Sequence, residues 1–205
     1  MKSMKGLYLV TDRSMLRAGS LDDVVRAAVR AGAAVVQLRE KDASTRFFID
    51  EAVRIRECTA PFGVPLLIND RVDVALAAGA DGVHLGQNDM RPETARRILG
   101  EYAVIGLSVE TMDQVEEAQH LPIDYIGVSG IFPTPTKTDL QDYWGIDGLR
   151  RVRARSRHPL VAIGGIHAGN AADIMSAGAD MIAVVSAICA SDDPESATRA
   201  LIKIF

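Results

Sequence analysis

The run AGAAVVQLREK, Ala31–Lys41, holds a helix stop, a buried strand and a charged exit in one stretch. Gly32 stands where a helix must end, because glycine accepts the left-handed backbone of a C-cap without steric cost. Val35, Val36 and Leu38 then make a strand that is apolar on both faces rather than alternating, the pattern of a parallel sheet covered on both sides. Related runs recur as AGADGV from Ala78 and AGADMI from Ala177, at offsets of 47 and 99 residues. Those intervals are close to two and four βα units of about 25 residues, the size expected in the smallest barrels.

Working outward, apolar runs appear at Leu7–Val10, Val35–Leu38, Leu66–Ile68, Gly82–Leu85, Val104–Leu107, Tyr125–Val128, Leu160–Ile163 and Met181–Val185. Between them lie segments such as SLDDVVRAAVRAG and DQVEEAQH, with apolar residues at helical spacing and charges opposite. Eight strands alternating with eight helices predict an α/β protein, a single compact (β/α)8 TIM barrel over residues 1–205. The rival, an open doubly wound sheet, needs a glycine-rich nucleotide turn after an early strand. LYLVTDRS contains neither G-x-G-x-x-G nor a P-loop. No linker, low-complexity tract or second domain interrupts the pattern.

With 205 residues, 48 % of them hydrophobic and 24 % charged, the chain can build one good-sized core. Its net charge of −4 argues against nucleic acid or a membrane as partner, so any anionic ligand must be met by a local group of cations. The apolar run in MKSMKGLYLVTD is too short for a signal-peptide core or a membrane span, and a cytoplasmic protein is expected. Cys58 and Cys189 fit no metal or redox spacing and read as buried thiols. The oligomeric state stays open, a homo-oligomer included.

In such a barrel the chemistry collects at the C-terminal ends of the strands. Strand two exits through Gln37, Arg39 and Lys41 on one face, with Glu40 opposed. Strand three ends in Asn69 and Asp70, strand four in Gln87, Asn88 and Asp89, and strand five in Ser108. Strand six runs into Thr134, Thr136 and Lys137, strand seven into Gly164–Ile166, and strand eight into Val185 and Ser186. Each has a structural reading: Asn69, Asp70 or Ser186 as a helix cap, Arg39 in an ion pair with Glu40 or Asp70. A cap needs one residue, however, and these exits supply up to three.

Asp70 and Asp89 follow adjacent strands, so their carboxylates can converge. Without histidine or cysteine nearby they suit magnesium (Mg²⁺), which keeps waters and takes phosphate oxygens. Arg39, Lys41 and Lys137 add cations matched to a diphosphate, each worth about 4 kcal/mol at ~4 Å and an effective dielectric near ~20 before desolvation. A separate phosphate site is expected at Gly164–Ile166 and Val185–Ser186, with Ser186 opening the last helix. His84, within strand four, reads as a core histidine. GLSVE and GVSGI both miss the G-x-S-x-G elbow of serine hydrolases.

The blocks QLREK, IND, HLGQND, PTPTK, VAIGGI and AVVSAI, in this order and spacing, closely resemble the thiamine-phosphate synthase family, nearly end to end. The resemblance implies an enzyme, a transferase, that joins a hydroxymethylpyrimidine diphosphate to a thiazole phosphate and releases pyrophosphate. It implies a dissociative order, in which diphosphate leaves and the thiazole nitrogen captures a pyrimidine cation. By the same resemblance Gln37, Leu38, Arg39, Glu40, Lys41, Asn69, Ser108 and Lys137 would hold the pyrimidine diphosphate. Arg39, Lys41, Ser108 and Lys137 would be the catalytic groups, and Asp70 and Asp89 would hold one Mg²⁺. Thr134, Pro135, Thr136, Gly165, Val185 and Ser186 would hold the thiazole phosphate.

One departure stands out. The family usually carries glycine-proline before IFPT, whereas this chain has Ser129 and Gly130. Without the proline, the backbone entering the 132–144 loop is expected to be freer. The related thiazole tautomerases carry a catalytic histidine at about this place, and Gly130 cannot replace it. A tautomerase-like isomerase and a non-catalytic barrel binding thiazole or thiamine phosphates are the alternatives. The retained Asp70, Asp89, Arg39 and Lys137 argue against a mere binder.

Overall fold

Helix α1, Leu21–Arg30, begins where Ser20 and Asp23 form a reciprocal cap, and five of its residues turn inward onto the sheet. The same strand-then-helix unit repeats along the residues described by this computed structural model, 5–134 and 142–205. The strands are Gly6–Val10 (β1), Val35–Leu38 (β2), Leu66–Asn69 (β3), Gly82–Leu85 (β4), Val104–Val109 (β5), Tyr125–Ser129 (β6), Leu160–Ile163 (β7) and Met181–Val184 (β8). All pair in parallel with their sequence neighbours, and β8 returns to β1, which closes the barrel. The remaining helices are Thr45–Thr59 (α2), Val72–Ala78 (α3), Pro92–Leu99 (α4), Met112–Ala118 (α5), Gly145–Arg155 (α6), Ala171–Ser176 (α7), Ser186–Cys189 (α8) and Pro194–Ile202 (α9).

Both faces of the sheet are buried, which is why the strands read as continuous apolar runs. Leu7, Leu9, Val36, Leu38, Leu66 and Ile68 face outward into the core shared with the helices. Tyr8, Val10, Val35, Leu67, Tyr125, Val161, Met181 and Ala183 fill the barrel itself. Cys58 and Cys189 are buried free thiols.

The AGAD repeat has a physical basis at the N-terminal rim. Asp81 and Asp180, its aspartates, each accept the first N–H of the preceding strand, from Leu66 and Leu160, at 2.8 Å. Asp124, ahead of β6, accepts the second N–H of β5, from Ile105, at 2.8 Å. A buried strand end would otherwise leave that donor unmet.

Five strands, β1, β3, β5, β6 and β8, and the last helix differ from the expected limits. β5 and β6 run on to Val109 and Ser129, which brings Ser108 and Ser129 into the ladder. Ser186 opens not the last helix but the four-residue α8; α9 follows separately, started by Pro194 behind an Asp193 cap on Ser196 N–H at 2.9 Å.

Candidate active site

Alternation along each strand places every second residue inside the barrel. Beyond the apolar layer, those inward positions become Gln37, Asn69, His84 and Ser108. With Arg39, Lys41, Asp70 and Asp89 they line one cleft of about 690 Å³.

The structural readings of Asn69, Asp70 and Ser186 do not hold. The residue preceding α3 is Arg71 and the one preceding α8 is Val185, and neither helix has a side-chain cap. Asp70 instead adopts a left-handed backbone, φ 63°, rare for a residue with a side chain. Its carboxylate lies 2.7 Å from Lys41 Nζ. Asp89 accepts Gly86 N–H at 2.7 Å. Burial, reinforced by the facing Asp70 carboxylate, pushes the Asp89 carboxyl above its usual range. Two carboxylates are thus held against each other, at the cost of ionising Asp89.

Arg39 pairs with neither Glu40 nor Asp70 but with Asp12, at 3.3 Å. Its own N–H donates to Thr11 Oγ1 at 3.1 Å, fixing the β2 exit against that of β1. Glu40 turns away toward Arg13, at 3.3 Å, beside the buried Glu51, which Arg13 also pairs. Burial, with Glu51 adding its charge, raises the Glu40 carboxyl. Leu38 is wholly buried in the outer core, so only its backbone is available to a ligand. The sequence therefore brought Gln37, Arg39, Lys41, Asn69, Asp70, Asp89 and Ser108 together, while the side chains of Leu38 and Glu40 lie elsewhere.

A second cavity of about 550 Å³ adjoins the first and shares Ser129, Ile163, Ala183 and Val185 with it. Thr134, Gly165 and Ser186 line it. Gly165 is required: its φ is 65°, and a Cβ there would meet Phe132 Cβ at 2.7 Å and the Pro133 carbonyl at 2.8 Å. Asn170 Nδ2 donates to the Gly165 carbonyl at 2.9 Å and holds this turn. Pro135, Thr136 and Lys137 lie outside the described residues.

Residues 7–188 match the family model of thiamine monophosphate synthase. The chain belongs to the thiamine monophosphate synthase family. It is 56 % identical over 188 residues to the thiamine-phosphate synthase of Albidiferax ferrireducens, covering 92 % of this chain and 86 % of that protein. It is 50 % identical over 202 residues to that of Leptospira biflexa, covering 97 % and 96 %. A solved thiamine phosphate pyrophosphorylase from Pyrococcus furiosus superposes with a TM-score of 0.90 at 38 % identity, covering 98 % of this chain and 96 % of that one.

At the Ser129–Gly130 turn the backbone is not loose. Ile131 N–H donates to the Ile163 carbonyl at 2.9 Å and Phe132 N–H to that of Gly164 at 3.0 Å. From the far side, Trp144 donates to the Gly130 carbonyl at 3.0 Å and, through Nε1, to that of Ser129 at 3.1 Å. These bonds hold the turn from both sides.

Three residues escaped the sequence reading. Tyr8 and Tyr125 sit among apolar neighbours, and His84 reads as a structural histidine. Yet all three carry polar atoms inward, and Tyr8 and His84 line the cleft. Finding them takes the register between strands, which sets His84 opposite Asn69.

Proposed function

We propose that this protein is a thiamine-phosphate synthase in which departure of diphosphate precedes capture by the thiazole nitrogen. The observation that carries the reading is a carboxylate pair and two cations in one cleft that abuts a second, glycine-walled cavity. One cleft takes the pyrimidine diphosphate and the other the thiazole phosphate.

Asp70 and Asp89 fit Mg²⁺. Asp89, raised by burial and the facing Asp70 carboxylate, would be relieved by a divalent cation between the two. No group of three or more His, Cys, Asp or Glu ligands forms among the described residues, which leaves coordination for waters and phosphate oxygens. When bound, the ion would offset charge growing on the departing diphosphate.

The chain's own residues do the rest. Arg39 and Lys41 neutralise the leaving group, most strongly once its charge has developed. Lys137 is proposed to join them. Ser108, Asn69 and Gln37 fix the pyrimidine deep in the cleft. Gly165 and Ser186 present backbone N–H groups and a hydroxyl to the thiazole phosphate, with Thr134, Pro135, Thr136 and Val185 completing that site. No protein nucleophile is needed. No helix among the described residues is long and apolar enough to cross a membrane, in keeping with small, water-borne substrates.

The test is to incubate the purified protein with both substrates and Mg²⁺. Thiamine phosphate and pyrophosphate should appear in equal amounts. Absence of both, with ligands bound, would favour a binding barrel instead.

A further inference from the structure

A row of hydrogen bonds crosses the barrel beneath the cleft, linking five strands. Gln37 Nε2 donates to Tyr8 Oη at 2.7 Å, and the Tyr8 and Tyr125 hydroxyls lie 2.9 Å apart. The Tyr125 hydroxyl is 2.7 Å from His84 Nδ1, and His84 Nε2 is 2.9 Å from Ser108 Oγ. Space for the rings is kept by other strands: a Cβ on Gly106 would overlap Tyr125, and one on Gly127 would meet His84 Cε1 at 2.9 Å.

Proton counting assigns this row a direction. Burial raises both phenols far above their ordinary range, so each keeps its single proton. The Gln37 amide nitrogen can only donate. Tyr8 oxygen therefore accepts from it and gives its proton to Tyr125, which gives its own to His84 Nδ1. Nδ1 must then be bare and the ring proton must sit on Nε2, donating to Ser108. The Ser108 proton is left for the cleft.

We infer that Tyr8 and Tyr125 are positioning residues that lock His84 in its Nε2–H tautomer, so that Ser108 serves the bound pyrimidine as a hydrogen-bond donor. The subsite at Ser108 accordingly reads an acceptor atom on the ring, such as a ring nitrogen. The Ser108 half of this rests on the proposed pyrimidine site; the tautomer does not.

The experiment is ¹⁵N NMR of the ligand-free protein labelled in its histidine rings. His84 should show a protonated Nε2 and a bare Nδ1. Tyr125→Phe should abolish that single-tautomer signature and lower kcat/KM about tenfold, the value of one lost hydrogen bond at ~1.4 kcal/mol. Should Tyr125→Phe not fold, Tyr8→Phe, which unfixes the direction at Tyr125, is read in the same way. A protonated Nδ1 in the parent protein, or an unchanged tautomer in a folded variant, overturns the inference. For Ser108, a pyrimidine diphosphate analogue with its ring nitrogens replaced by CH should be rejected by the parent and no longer discriminated by Ser108→Ala. Equal discrimination by both overturns that half. A correct tautomer in a protein that makes no thiamine phosphate would sink the proposed function while leaving the row intact.

Discussion

At the scale of single residues, the contact between Lys41 and Asp70 is informative because it is cheap to break. Their side chains are 53 % and 23 % exposed, so the pair contributes only about 0–1 kcal/mol to stability. Asp70→Asn should therefore fold and melt like the parent yet lose most of its synthase rate, as the parent should in chelator. Full activity in either case removes the Mg²⁺ assignment. Arg39 is held by Asp12 at the cleft edge, and under the proposed function its charge would matter most when the diphosphate is leaving. Arg39→Ala should thus depress kcat strongly, with a smaller change in KM, in steady-state assays. An unchanged kcat with raised KM would mean uniform binding. The charged residues here were legible because arginine, lysine and aspartate are conspicuous at the end of an apolar strand. His84 was not, since a buried histidine looks alike in sequence whether it props a core or orients a ligand.

At the scale of elements, the two ends of the strands do different work. The N-terminal rim is stitched by Asp81, Asp124 and Asp180, far from the cleft. Asp180 accepts Leu160 N–H and also pairs with Arg153 at 3.0 Å. Asp180→Ala should cost about 1.5–3 kcal/mol, the range for a hydrogen bond to a charged group, with KM values unchanged. Chemical denaturation beside steady-state kinetics checks this; a kinetic defect with normal stability would contradict it. The β6 exit behaves otherwise. Gly130 provides no acid–base group, and such a group typically contributes about 10²–10⁴-fold in proton transfer. Offered the thiazole carboxylate phosphate alone, the protein should leave it unisomerised while still making thiamine phosphate from the full mixture. Rapid isomerisation without synthesis would reverse the reading. The sequence did not reveal what holds this turn, because the bonds with Trp144, Ile163 and Gly164 come from other parts of the chain.

For the molecule as a whole, acid stability should carry a histidine signature. His158 packs at the start of β7, its ring nitrogen 3.0 Å from the Ala118 carbonyl, and burial lowers its pKa from the ordinary 6.5. The unfolded chain then binds the proton more readily. Stability from the neutral ring is complete above pH 6.5 and is lost as pH falls through that value toward the lower folded one. Melting curves from neutral pH downward should fall less steeply for His158→Gln than for the parent; parallel curves would discount the histidine.

Periodicity alone determined the strands and the barrel. Three of the eight strands, β2, β4 and β7, fall at the limits expected from their apolar runs, because a strand buried on both faces must be apolar throughout. The polar exits were equally local, being departures from that pattern. What touches what was decided only by closure of the barrel. Tyr8 and Tyr125 stand 117 residues apart, and their hydroxyls meet only because β1 and β6 line the same interior. The turn of Glu40 away from the cleft and the row of hydrogen bonds ending at Ser108 are likewise tertiary facts. Backbone pattern is written in neighbouring residues, whereas a side chain's partner, protonation and role depend on groups that sequence distance does not bring near.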